Sequence, residues 1–168
     1  VVLGSGLSTA VDTVRAASDG EEVEIAYADL PGFPPPTVAG HAGRLWIGSV
    51  DARALAIFQG RVHFYEGHGM ALASITSRLS AELGARAMVL TAATGALDPE
   101  IEAGTLVVLR DHLNLMGENP LHGWRFPDGS PAFLDVPQVY GPDLSDLAVA
   151  SARARLDGTD RQGRVRDG

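Results

Sequence analysis

The chain has 168 residues, 45% of them hydrophobic, and this length and composition predict one folded α/β domain rather than a disordered segment. The formal net charge is −8 and the acidic residues are spread along the chain, which argues against nucleic acid or an anionic membrane as a partner. Cysteine and lysine are both absent, so an anion site must use Arg, His or backbone N–H groups.

The sequence opens without methionine on the apolar run 1–3, which predicts a chain that starts inside its first strand and is a fragment. No apolar run reaches the roughly 20 residues that a membrane helix needs. We therefore expect a cytoplasmic protein with no membrane partner.

Residues 1–3 predict a buried strand that runs into the turn Gly4-Ser5-Gly6, and helical spacing of apolar residues begins at Leu7. A strand, a tight turn and a helix in this order place backbone N–H groups and the Ser5 hydroxyl at the positive end of a helix dipole, which suits an anion. A simple turn with Ser5 as the helix N-cap explains the pattern equally well.

Strands are predicted next at 22–27, 44–50 and 54–58, and the proline-rich stretch 31–36 predicts a loop. The last two strands form a hairpin whose buried face is Leu45, Ile47, Leu55 and Ile57. An amphipathic helix capped by Gly84 follows, and its apolar stripe is Leu72, Ile75, Leu79 and Leu83.

In the second half of the chain, the short apolar runs 87–91 and 105–109 predict central strands covered on both faces. The segment 111–140 is rich in Pro, Gly and Asn and predicts a long irregular connection, which is usually functional. A helix over 143–156 follows. The resulting domain spans 1–156, and 157–168 is a polar tail.

The densest candidate for chemistry lies at 59–68. At extended spacing Arg61, His63 and Tyr65 project to one side, where Arg offers a bidentate fork to phosphate and His a switchable donor, and Glu66 can orient His63. An exposed polar strand end remains an alternative. A metal site on His63, Glu66 and His68 is another, although the spacing matches no standard zinc signature.

Two further segments suit a ligand. The loop 34–44 combines stiff prolines with small residues around His41, as a loop that closes over an anion would, although a surface turn fits equally well. Small residues over 91–96 follow a predicted strand and allow close approach to the backbone, although tight packing explains them as well.

Taken in chain order, GSG, PxxTVxGHAGR, QGRxHxYEG, TAATGAL and RDHLNL resemble the trimeric purine nucleoside phosphorylases, whose fold the methylthioadenosine phosphorylases share. The resemblance implies a three-layer α/β sandwich around a mixed β-sheet, truncated here after about half of the family's length. It also implies a homotrimer that serves purine salvage by converting a purine nucleoside and inorganic phosphate to free base and ribose 1-phosphate. No metal or other cofactor is expected.

The resemblance also assigns residues to roles. It assigns phosphate binding to Ser5, Arg61, His63 and the Ala93 N–H. It assigns catalysis to His63, to Glu66, which braces it, and to His41 in the flexible loop. Ribose contacts fall to Tyr65 and to Phe133, which is donated to the neighbouring subunit, and base contacts to Thr94 and Gly95. The family's Asn-Ala-Ala-Gly is Ala92-Ala93-Thr94-Gly95 here, and the remaining base-binding residues are expected outside the chain.

Two other functions remain open on the sequence. One is a truncated, non-catalytic homologue that retains a phosphate-binding half-site. The other is a dinucleotide-binding oxidoreductase, in which Gly4-Ser5-Gly6 meets the pyrophosphate and Glu22 or Glu24 the ribose, although Thr9 replaces the third glycine of that fingerprint.

Overall fold

The computed structural model describes residues 1–35, 37, 42–159 and 164–168. The sequence predicts one domain over 1–156, whereas the residues group into two compact units, Val1–Thr94 and Gly95–Gly168. None of the helices in the described residues has the length and apolarity to cross a membrane.

The first unit contains a four-stranded sheet of mixed direction. Its strands are β1 (Val2–Leu3), β2 (Val23–Ala26), β3 (Arg44–Val50) and β4 (Arg53–Gln59), in the order β1-β4-β3-β2. β1 runs parallel to β4, and the other neighbours are antiparallel. The predicted mixed sheet is therefore confirmed.

Both faces of this sheet are covered, so the single buried face predicted for the hairpin is wrong. Leu45 pairs with Phe58, and these two side chains share a face with Ile47, whereas Leu55 and Ile57 lie on the other face. The buried members of the first core are Val2, Tyr27, Phe33, Leu45, Phe58 and Val62, and those of the second are Leu3, Val11, Trp46 and Ile57. A continuous apolar run in a strand is typical of burial on both faces.

The hairpin turns at Asp51 and Ala52, whose φ angles of 50° and 57° are both left-handed. This is the geometry of a two-residue type I′ turn, although neither residue is glycine. The Asp19 carboxylate accepts hydrogen bonds from the Ser49 hydroxyl at 2.6 Å and from the Ala52 N–H at 2.9 Å. Asp19 therefore holds the turn in a conformation that alanine rarely adopts.

The helices of the first unit are α1 (Ala10–Arg15), α2 (Met70–Ala73) and α3 (Ile75–Glu82), so the predicted single helix is interrupted at Ser74. Leu72, Ile75 and Leu79 pack against the first core as predicted. Leu83 does not, because it is the C-cap of α3 and is 49% exposed.

Gly84 ends α3 as predicted, with a φ of 75°. Its N–H donates to the Ala81 carbonyl at 2.9 Å, and the Ala85 N–H donates to the Ser80 carbonyl at 3.0 Å. These two bonds form a Schellman motif, which satisfies carbonyls at the end of the helix.

The central strand predicted at 87–91 is wrong. Leu90 makes one isolated parallel bridge to Val2, and Val89 and Leu90 are 51% and 61% exposed. This segment lies beside β1, and within the described part of the first unit no strand pairs with its other side. Its apolar side chains are therefore not covered on both faces.

The second unit contains β5 (Leu106–Val108), α4 (Pro142–Leu156) and β6 (Val165–Asp167). Among the residues that the structure describes, β5 pairs with β6 alone, in a parallel two-stranded sheet, so the central strand predicted at 105–109 is also wrong. Residues 165–167, expected within a polar tail, form β6, and Val165 is buried there against the prediction.

The other two predictions for this unit hold. The helix expected over 143–156 begins at Pro142, where the fixed φ of proline suits a first helical position. The segment 111–140 contains no regular strand or helix, apart from an isolated bridge between Arg125 and Pro131.

Candidate functional site

The Gly4-Ser5-Gly6 turn follows β1 directly, and each glycine has a separate structural reason. A Cβ on Gly4 would lie 2.6 Å from the Thr91 carbonyl oxygen, so only glycine fits that approach. Gly6 has a φ of 80°, which favours glycine. The Gly4 carbonyl accepts the Leu7 N–H at 3.2 Å and closes the turn.

The predicted contact between this turn and a helix start is wrong, both for the dipole and for Ser5 as N-cap. α1 begins at Ala10, and its N-cap is Thr9. The Ala10 N–H donates instead to the Leu7 carbonyl at 3.0 Å, because a second turn lies between Gly6 and the helix. An anion at this turn would depend on local N–H and hydroxyl groups rather than on the dipole of α1.

Thr91 links the turn to the rest of the site. Its hydroxyl accepts the Gly4 N–H at 2.8 Å and donates to the Val2 carbonyl at 3.0 Å. Its own carbonyl accepts a hydrogen bond from Arg61 Nη1 at 2.6 Å. One residue thus connects the Gly4-Ser5-Gly6 turn with Arg61. Sequence analysis included Thr91 only within the small-residue segment 91–96, because a threonine at a strand end carries no special signal for these contacts.

Arg61 is placed by the end of β4. The Gly60 N–H donates to the Leu3 carbonyl at 3.0 Å, and the buried Tyr27 hydroxyl donates to the Gly60 carbonyl at 2.7 Å. Val62 is buried in the first core, and this burial anchors the backbone of its neighbours Arg61 and His63. The backbone thereby fixes the direction in which this segment leaves the sheet.

The extended backbone predicted through Tyr65 ends at His63. Phe64–Glu66 forms one turn of 3₁₀-helix with His63 as its N-cap, and Gly67 follows in the left-handed region. The Tyr65 ring nevertheless stacks on the His63 ring, with centroids 4.8 Å apart and an interplanar angle of 21°. Tyr65 is 74% exposed, so one face of a solvent-accessible aromatic ring meets His63.

The predicted contact between Glu66 and His63 is present. Glu66 Oε1 accepts the His63 backbone N–H at 2.7 Å and lies 2.8 Å from His63 Nδ1. The Thr37 hydroxyl donates to the other oxygen, Oε2. The Glu66 side chain is only 4% exposed. The hydrogen bond from Thr37 to Glu66 was not predicted from the sequence, and we refer to Thr37, His63 and Glu66 as the cluster.

These hydrogen bonds determine the charge of the cluster. The Thr37 hydroxyl, followed by the His63 ring and backbone N–H, lowers the pKa of Glu66 to about 2 against the opposing effect of desolvation. An ionised carboxylate only accepts hydrogen bonds, so His63 donates from Nδ1. Nε2 is then the ring nitrogen that Glu66 does not engage. A proton on Nε2 could be donated to an anion.

The remaining predicted residues fall outside these contacts. Thr94 ends the first unit and Gly95 begins the second, and both are exposed, as is Ala93. Phe133 is 90% exposed in the second unit, and His41 lies outside the described residues. In the described ranges, no group of three or more His, Cys, Asp or Glu is arranged to hold a metal ion.

The acidic residues of the dinucleotide alternative have other partners. The Glu22 carboxylate accepts the Trp46 Nε1 hydrogen bond at 2.8 Å, and Glu24 forms ion pairs with Arg15 and Arg44. In addition, β1 and β2 lie at opposite ends of the sheet order, so they do not form the adjacent parallel pair of a dinucleotide-binding βαβ unit.

The sequence matches the model of the Phosphorylase superfamily over residues 1–167. The chain belongs to this superfamily. It is 39% identical over 153 residues to purine nucleoside phosphorylase 1 of Bacillus subtilis (strain 168). This match covers 91% of this chain and 55% of that protein. The chain thus spans about half the length of the curated relatives it matches.

Solved structures give the same result for the fold. The crystal structure of Schistosoma mansoni purine nucleoside phosphorylase in complex with adenosine matches with a TM-score of 0.80 at 28% identity, over 99% of this chain and 56% of that one. A purine nucleoside phosphorylase in complex with ribose-1-phosphate matches with a TM-score of 0.80 at 29% identity, over 99% of this chain and 59% of that one. The predicted resemblance and fold class are confirmed.

Proposed function

We propose that the protein catalyses phosphorolysis of purine nucleosides, in which inorganic phosphate displaces the base and yields ribose 1-phosphate. The observation that carries this proposal is the convergence on Thr91, where the Gly4-Ser5-Gly6 turn and the Arg61 guanidinium meet. His63, which Glu66 orients, lies two residues after Arg61 in the chain. Similarity to a phosphorylase solved with ribose-1-phosphate supports the same substrate class.

Four groups would bind the phosphate: the Ser5 hydroxyl, the Ala93 N–H, Arg61 and His63. A guanidinium has five N–H donors in a rigid fork, so Arg61 can hold the Thr91 carbonyl and a phosphate at once. His63, with Nδ1 committed to Glu66, would donate from a protonated Nε2. The chain has no lysine, and this set supplies the positive charge that a phosphate requires.

The same residues account for the chemistry. A phosphate oxygen forms a bond to the anomeric carbon as the glycosidic C–N bond breaks, and the electron pair leaves with the base, which takes up a proton. Positive charge develops on the ribose, and a phosphate dianion held beside it stabilises that charge. Fixed placement of phosphate and ribose supplies much of the remaining rate enhancement. Tyr65, exposed beside His63, would contact the ribose.

Other parts of this assignment remain predictions. These are the base contacts of Thr94 and Gly95, the catalytic role of the loop residue His41, a homotrimer completed by Phe133, a role in purine salvage, and a cytoplasmic location. Phe133 is almost fully exposed, as a residue that serves a neighbouring subunit would be.

The test is phosphorolysis of inosine by this chain, with and without phosphate. Arg61→Ala should abolish phosphate-dependent release of base, and Arg78→Ala, on the exposed side of α3, is the matched control. Release of base that is equally dependent on phosphate in wild type and Arg61→Ala would refute the assignment of Arg61.

A second candidate function is phosphate binding without turnover by these 168 residues. It is favoured by the fact that the chain spans about half the length of its curated relatives. Saturable binding of phosphate that depends on Arg61, with no release of base from inosine, would support this candidate. Phosphate-dependent release of base would exclude it.

A further inference from the structure

We infer that Thr37 is a positioning residue of the site, whose hydroxyl holds Glu66 Oε2 and thereby fixes the imidazole ring of His63. The consequence for ligand binding rests on the proposed phosphate site. The effect on the His63 ring does not depend on what the site binds.

The two oxygens of Glu66 have separate tasks. Oε1 accepts both hydrogen bonds from His63, at 2.7 Å from the backbone N–H and 2.8 Å from Nδ1. Oε2 accepts the Thr37 hydroxyl, from a residue 29 positions earlier in the chain. Because a carboxylate rotates as a rigid plane, the bond from Thr37 restricts the torsion that places Oε1 opposite the imidazole.

The cluster is buried enough for this bond to matter. The Glu66 side chain is 4% exposed and the His63 side chain 14% exposed. Without Thr37, Oε2 would lose its protein donor while remaining largely shielded from water, which is costly for an ionised group. The carboxylate would then rotate towards water or take up a proton, and either change weakens its acceptance of the Nδ1 proton.

Thr37 lies close in sequence to a residue that is anchored in the first core. Phe33, four residues earlier, is buried in the first core, and its ring lies 4.2 Å from the Tyr27 ring. Thr37 itself is exposed, so replacing it should leave the packing of the unit intact. A loss of function in a Thr37 variant can therefore be separated from a loss of folding.

The experiment uses the full chain labelled with ¹⁵N-histidine, and reads the ring nitrogens of His63 by NMR. The His63 signals are assigned by their loss in His63→Gln. Thr37→Val removes the hydroxyl at nearly constant volume, and Thr37→Ser retains it.

In wild type and Thr37→Ser, we expect the His63 ring to carry a proton on Nδ1, where it is donated to Glu66. In Thr37→Val, we expect a mixture of rings protonated at Nδ1 and at Nε2, and about tenfold weaker binding of inorganic phosphate, equivalent to about 1.4 kcal/mol. An unchanged His63 spectrum in Thr37→Val would overturn the inference, as would a Thr37→Ser spectrum that matches Thr37→Val.

The two proposals fail separately. If the His63 spectrum changes as expected but wild type binds no phosphate, the positioning role stands and the proposed phosphate site is wrong. If wild type binds phosphate and the Thr37→Val spectrum is unchanged, the phosphate site stands and Thr37 has no positioning role.

Discussion

Replacing Thr91 by valine tests the link between the Gly4-Ser5-Gly6 turn and Arg61. The substitution keeps the shape of the side chain and removes the hydroxyl that accepts the Gly4 N–H at 2.8 Å. Gly4 is buried, and a buried N–H without an acceptor costs about 1–3 kcal/mol. The lost bond to the Val2 carbonyl adds little, because the Thr91 N–H still donates to that carbonyl at 3.0 Å.

We therefore expect Thr91→Val to lower the free energy of unfolding by about 1–3 kcal/mol, measured by urea denaturation. Thr91→Ser is the matched control. It keeps the hydroxyl and should therefore retain most of the stability of wild type. Phosphate affinity should fall in the valine variant, because the turn loses its register with Arg61. A valine variant as stable as wild type, or a serine variant as unstable as valine, would refute this account of the link.

Two further predictions concern the charge of Glu66 and the hairpin turn. The pKa of Glu66 is lowered to about 2 from an ordinary 4.5, so the ionised form stabilises the fold above the ordinary value, and this stabilisation is lost as pH falls from 4.5 towards 2. In Glu66→Gln, the free energy of unfolding should depend less steeply on pH over this range than in wild type. Equal slopes in the two proteins would contradict the lowered pKa of Glu66. Ala52 has a φ of 57°, so Ala52→Gly should raise the free energy of unfolding by about 0.5–1 kcal/mol. Ala54→Gly in β4 should lower it. Thermal unfolding of the two glycine variants measures the difference, and a less stable Ala52→Gly would show that the turn is not strained.

Local sequence was enough to predict some elements of the first unit. The apolar residues of β3 and β4 and the polar break between them predict the hairpin, and Gly84 predicts the end of α3. The faces of the hairpin were not predictable, because which residues are covered depends on what packs against each side. The same limit applies to 87–91 and 105–109, whose apolar composition does not reveal how many neighbouring strands they have.

The site divides in the same way. The contact between His63 and Glu66 spans three residues, so it could be predicted from spacing within one motif. The hydrogen bonds from Thr37 to Glu66 and from Gly4 to Thr91 join residues 29 and 87 positions apart. Threonine is common in loops and strands, and only the folded chain shows which hydroxyls meet the site.

Titration of inorganic phosphate into the 168-residue chain, followed by calorimetry, tests the central claim most directly. Arg61→Gln keeps a polar side chain and removes the charge, and Arg78→Gln makes the same change at an exposed position of α3. We predict saturable binding by wild type and Arg78→Gln, with at least about tenfold weaker binding by Arg61→Gln. Equal affinity in all three chains, or no binding by wild type, would contradict a phosphate site built on Arg61.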